Sequence, residues 1–205
     1  MLAPSDQLHY IGIDIAKDSF VAAIRGATTK PFPNTPDGAQ QLAAWTRQHY
    51  PAGECRYVCE STSQYSSYFA YNIAPFPCFS SSIVPPQRVR YAARAFARHT
   101  KTDSADAQTI LAFAERIHPE PYHLPPPAIA QLAALRAAVE VLKTISAELA
   151  NRQHLLPFTP EAPSCVAQAY NETQSQLAQQ QARLEAEIQQ LFADHAELAQ
   201  ERKVL

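Results

Sequence analysis

Four acidic residues in three short contexts carry the chemistry open to this chain. Asp14 lies in Tyr10-Ile11-Gly12-Ile13-Asp14-Ile15-Ala16-Lys17. Glu60 closes Tyr57-Val58-Cys59-Glu60 and precedes Ser61-Thr62. Asp103 and Asp106 stand in Lys101-Thr102-Asp103-Ser104-Ala105-Asp106-Ala107. Two carboxylates that end apolar strands, and two that share one helical face, can gather hard oxygen ligands around Mg²⁺, or Mn²⁺ in its place. Each residue also has a plainer reading. Asp14 can accept turn N–H groups, and Glu60 can begin a surface loop. Asp103 can be a helix N-cap, with Asp106 in the first turn where the helix dipole favours negative charge. Against this stands the cost of an ionised Asp in Ile-Gly-Ile-Asp-Ile, which needs a partner.

A basic run lies just before the acidic pair. Between Arg88 and Lys101 the chain has five cations, Arg88, Arg90, Arg94, Arg98 and Lys101, and no acid. Arg90, Arg94 and Arg98 recur every four residues and form one helical stripe. A solvated face normally mixes signs. A stripe of one sign beside candidate cation ligands suits a phosphate backbone, so nucleic acid is the expected partner.

The elements that must position these residues can be read from patterning. Residues 9–15, 19–25 and 28–33 read as strands, with turns at 16–18 and at Gly26. Thr35 or Asp37 can cap a helix through about residue 49. Residues 56–60 and 79–84 read as strands, and 64–74, 87–98 and 103–117 as helices. Strands first, then alternation of β and α, predict a mixed α/β sheet with flanking helices. Residues 1–118 make this first domain, and a Pro-rich stretch, 119–127, reads as a stiff linker. Residues 128–205 make a helical arm. Leu132, Leu135, Val139, Leu142, Leu149 and Leu156 fall at heptad steps if Ser146 and Gln153 take polar core positions. Leu177, Leu184, Leu191 and Leu198 follow after Pro157, Pro160 and Pro163. Two heptad segments joined by a bend predict an antiparallel hairpin or coiled coil. Its reach of roughly 40 Å at 1.5 Å per residue makes a second copy, or another domain, its expected partner.

Composition narrows the classes. The net charge of −2 does not advertise nucleic-acid binding, but its distribution does: residues 1–118 hold 11 Lys/Arg against 9 Asp/Glu, and residues 119–205 hold 6 against 10. No apolar run reaches about 18 residues, and residues 1–6 lack the pattern of a secretory leader, so a cytoplasmic protein without a membrane span is expected. Cys55, Cys59, Cys78 and Cys165 form no zinc spacing and no C-x-x-C pair. All four glycines precede residue 54, so the remainder has no glycine-rich phosphate loop.

Taken together, D-I-A-K on the first strand, E-S-T after a later one, and K-T-D-x-x-D-A after a basic helix resemble the DEDD transposases of insertion sequences. That family includes pilin-gene-inverting and bridge-RNA-guided recombinases. The motifs span residues 9–117, and the helical arms match 128–203 in kind. The resemblance implies a RuvC-like domain of the ribonuclease-H superfold, with Asp14, Glu60, Asp103 and Asp106 as a catalytic, Mg²⁺-binding tetrad. It implies DNA as substrate, a guide RNA as a further partner, and dimerisation through the arm. In the family a later domain supplies a serine nucleophile, and no serine here matches it, so a truncated copy unable to cleave is expected. Two departures stand out. Ser63 takes the place of the usual Gly after E-S-T, and Pro75-Phe76-Pro77-Cys78 replaces a Leu-rich helix end and Gly.

Two other readings remain at this point. An actin-like sugar kinase or ATPase shares the superfold and a Gly-Ile-Asp strand, but wants a glycine- or hydroxyl-rich turn where Ile-Ala-Lys follows. An inactive dimerisation fragment that regulates an intact recombinase needs only the arm.

Overall fold

The computed structural model describes residues 8–61, 63–95, 103–195 and 198; within its helices the side chains of residues 93, 95, 103 and 104 lie outside the description. The chain divides into two units, residues 1–124 and 125–205.

The first unit is built on a five-stranded sheet. Its strands are β1 (Leu8–Ile15), β2 (Ser19–Ala23), β3 (Lys30–Pro33), β4 (Glu54–Glu60) and β5 (Phe79–Val84). Their spatial order is β3-β2-β1-β4-β5. The first three pair antiparallel, and β4 and β5 add parallel to β1. Helices α1 (Pro36–His49), α2 (Ser63–Ile73), α3 (Pro86–Ala95) and α4 (Asp103–Ile117) flank it. An antiparallel meander extended by parallel crossovers, in the order 3-2-1-4-5, is the ribonuclease-H-like, RuvC-like arrangement. The first helix begins as its sequence dictates. Thr35 is the N-cap and its hydroxyl accepts the Gly38 N–H at 3.1 Å, with Pro36 opening the first turn.

Side-chain alternation splits the core between the two faces of the sheet. Ile11, Ile13 and Ile15 of β1, Phe20 and Ala22 of β2, and Cys55, Tyr57 and Cys59 of β4 share one face. There they meet Leu42 and Trp45 of α1 and Phe69 and Ile73 of α2. The opposite parity, Tyr10, Ala23, Val58 and Val84, meets Val89 of α3 and Ala107, Ile110, Leu111, Phe113 and Ala114 of α4.

The stretch read as a linker divides. Residues 119–124 belong to the first unit, because β5 is an edge strand with backbone groups to satisfy. Tyr122 N–H donates to the Ser81 carbonyl at 2.7 Å. The Ser82 hydroxyl donates to the Glu120 carbonyl, and the Arg56 guanidinium to that of Pro119.

The second unit consists of α5 (Pro127–Leu155), a short 3₁₀ turn (Leu156–Phe158) and α6 (Ser164–Asp194). Contacts pair high numbers on one helix with low numbers on the other. Gln153 bonds Asn171 at 3.1 Å, Gln174 bonds Ser146, and the Arg136 guanidinium lies over the Phe192 ring. The hairpin is therefore antiparallel. Ser146 and Gln153, the two polar residues in the heptad spacing of α5, are half-buried and bond to α6. No helix among the described residues is long and apolar enough to cross a membrane.

Candidate metal centre and nucleic-acid face

Strand register brings the first two carboxylates together. In the parallel β1–β4 pair, Gly12 stands beside Val58 and Ile13 beside Cys59. One further step along both strands reaches Asp14 and Glu60, on neighbouring strands about 4.8 Å apart. Both have the parity of Tyr10 and Val58, so both lie on the face covered by α3 and α4. Backbone bonds hold each position. Glu60 is still in register with Val84 of β5, and Ser61 N–H donates to the Val84 carbonyl at 2.8 Å. Beyond Asp14 the turn is closed by Ala16 N–H to the Ser19 carbonyl at 2.8 Å, while the Asn34 amide donates to the Ala16 carbonyl.

The third carboxylate arrives because of a glycine. A Cβ on Gly12 would overlap the Ala107 carbonyl oxygen and come within 2.9 Å of Leu111 Cα. Only glycine lets α4 lie this close against the middle of β1. The contact falls two residues before Asp14 on the strand and one after Asp106 on the helix, so one close approach sets both carboxylates. The sequence offered a signal for it, a lone glycine inside an apolar strand.

Asp14, Glu60 and Asp106, all half-buried, line one cavity of about 440 Å³ together with Arg90, Thr109, Val89 and Ile110. Burial pushes the Glu60 carboxyl above its usual range; Arg90 opposes this, and the negative charges of Asp14 and Asp106 reinforce it. The Glu60 carboxyl therefore holds its proton more tightly here than in water, chiefly because it is buried. Among the described residues, no three His, Cys, Asp or Glu side chains are already disposed to hold a metal ion. The donor chemistry nonetheless fits a hard divalent cation: carboxylate oxygens from three elements, half-buried around one cavity. The neighbouring Cys59 takes no part. Burial raises its thiol to about 12, and its sulfur donates to the Ser82 carbonyl.

Of the expected basic face, Arg88, Arg90 and Arg94 are exposed on α3, and Arg90 alone of these borders the cavity. The side chain of Asp103, and Arg98 and Lys101 altogether, lie outside the described residues. Thr109 was not singled out in the sequence. Its hydroxyl bonds the Ala105 carbonyl at 2.7 Å, and a threonine inside an ordinary helical pattern gives no sign that it borders a site.

Both departures from the family pattern fall on unusual backbone. Ser63 has φ 54° and Cys78 φ 64°. These are left-handed conformations that glycine adopts without strain.

A model of DEDD transposases of the IS110 group, described as Transposase, matches residues 11–157. Among solved structures, the chain is similar to a Thermus thermophilus RuvC structure, with 13% identity and a TM-score of 0.39, over 55% of this chain and 99% of that one. No curated protein matches.

Proposed function

Since the chain belongs to the DEDD transposase family, we propose that its first unit binds DNA at a Mg²⁺-dependent carboxylate centre and works in DNA strand exchange. Asp14, Glu60, Asp106 and Asp103 would hold the cation, with Mn²⁺ able to replace Mg²⁺. Arg88, Arg90, Arg94, Arg98 and Lys101 would bind backbone phosphates. The observation that carries this reading is the convergence of Asp14 from β1, Glu60 from β4 and Asp106 from α4 on one cavity whose rim holds Arg90. A bound cation would supply charge neutralisation at a phosphate oxygen and a lowered pKa for water. The protein's own part is positional. Gly12 seats α4, the Ser61–Val84 bond fixes the end of β4, and Arg90 presents a cation to a phosphate entering the cavity.

Cleavage by this family requires a serine nucleophile, and neither Ser61 nor Ser63 has a neighbouring base to activate it in the interactions described. The chain by itself is therefore expected to bind nucleic acid without cutting it. A phosphate-reading face accepts RNA as well as DNA, which supports a guide RNA as a second partner. The arm leaves Val141, Ile145 and Leu155 of α5 exposed, and this supports pairing with a second copy.

The test is incubation of the purified chain with supercoiled DNA and Mg²⁺, read by binding and by nicking. Binding that weakens steeply with salt, without nicking, is the expected result. Nicking that vanishes in Asp106→Ala would show that the carboxylates hydrolyse DNA unaided, and would overturn the binding-only part. Salt-independent binding would overturn the phosphate-reading face.

A further inference from the structure

We infer that Tyr91 stacks on an unpaired base, so that the face next to the carboxylate cavity takes single-stranded rather than duplex nucleic acid. The inference rests on the reading above that α3 binds nucleic acid, and it specifies the form of that nucleic acid.

The rotation of α3 is fixed by Val89, which is 3% exposed in the core under α4, with Ala92 packed beside it. Tyr91 comes two residues after Val89 and so points to the outward side, where it is 68% exposed. A single exposed tyrosine means little. This one has Arg88 three residues before it and Arg94 three residues after it, both exposed on the same helix. Residues three apart on a helix are neighbours, with Cβ atoms about 5–6 Å apart. The outward strip of α3 therefore reads cation, ring, cation, and Arg90 next to it lines the cavity of Asp14, Glu60 and Asp106.

An aromatic ring between phosphate-binding cations is what single strands require. Every base has a π-face for the ring, and the flanking phosphates meet the guanidinium groups. In a duplex those faces are stacked on their neighbours. A helix lying in the major groove would show the ring only base edges and methyl groups. The position of the cavity points the same way. It is recessed between the ends of β1 and β4 and the helices, and a strand that bends into it leaves its stack. Tyr91, one residue after the cavity-lining Arg90, offers a displaced base a replacement surface on the outward side of α3.

The experiment measures binding of a fluorescent single-stranded thymidine oligonucleotide and of a duplex to the full chain. Tyr91→Ala should weaken single-strand binding about tenfold, within the range of one base stack, and leave duplex binding unchanged. Tyr91→Phe should retain wild-type affinity, since the ring and not the hydroxyl does the work. In Tyr91→Trp the new indole emission should be quenched when the single strand is added. The inference is overturned if Tyr91→Ala leaves single-strand binding intact, if Phe fails like Ala, or if duplex binding falls equally. Arg88→Ala/Arg94→Ala separates the two levels. Loss of binding there with an inert Tyr91→Ala removes only the stacking inference. Unchanged binding there removes the nucleic-acid reading of α3, and this inference with it.

Discussion

The two faces of the sheet are packed by different rules. Under α1 and α2 the core is large and aromatic. Phe20, Phe32, Trp45, Tyr57 and Phe69 fill it, with ring centroids 5.0 Å apart for Phe20 and Phe69 and 5.5 Å apart for Phe20 and Phe32. Under α4 the closest approach is made by small residues, with Gly12 against Ala107, and Ile110, Leu111 and Phe113 pack around it. The first face is held together by bulk. The second is held together by proximity, and proximity is what carries Asp106 to Asp14 and Glu60. The difference teaches that the aromatic packing and the carboxylate cavity lie on opposite sides of one sheet. A substitution should therefore damage one more than the other.

The largest expected effect is on the bulky face. Phe69→Ala should cost about 3–5 kcal/mol in chemical denaturation. The surviving folded protein should keep its response to divalent cations. Gly12→Ala comes next, at about 1–3 kcal/mol for the forced separation of α4 from β1, and here the cation response should be lost along with the stability. If Gly12→Ala destabilises but leaves that response intact, the close approach does not position the carboxylates and the comparison breaks.

A smaller effect sharpens the comparison through pH. The folded protein holds the Glu60 carboxyl above its usual range, chiefly by burial. A group with this shift binds its proton more tightly in the folded state. Its penalty is absent below the ordinary carboxylate range, appears as pH rises through the raised value, and is full above it. Glu60→Gln should therefore raise the melting temperature at neutral pH in the presence of chelator, and the gain should vanish in acid. A gain that persists unchanged at low pH would mean that Gln packs better for reasons unrelated to charge. The smallest effects concern backbone. Ser63→Gly and Cys78→Gly should each stabilise by about 1 kcal/mol, by relieving left-handed φ values. Melting of each single variant checks this.

Much of this architecture was legible in the chain. Alternation in Leu8–Ile15 and Glu54–Glu60, the Thr35 cap and the heptads of α5 and α6 are local signals, and the elements follow them to within a few residues. The acidic residues could be named because each ends or opens such an element. What local pattern does not contain is register and helix rotation. That Asp14 falls beside Glu60 depends on Gly12 pairing with Val58 across 46 positions of sequence. That α4 lies against β1 depends on an atom Gly12 lacks. The stretch 119–124 misled for the same reason. Its prolines describe a stiff chain, and nothing in them says that β5 would be an open edge needing Tyr122 N–H.

The central claim is that Asp14, Glu60 and Asp106 act as one cation-binding group, and thermal melting with Mg²⁺ against chelator tests it most directly. A ligand that binds only the folded state raises its stability. Mg²⁺ should raise the melting temperature of the wild-type chain, and Asp14→Ala or Asp106→Ala should melt at the same temperature with and without it. A wild-type chain indifferent to Mg²⁺ and Mn²⁺, or one whose gain survives both substitutions, would contradict the account.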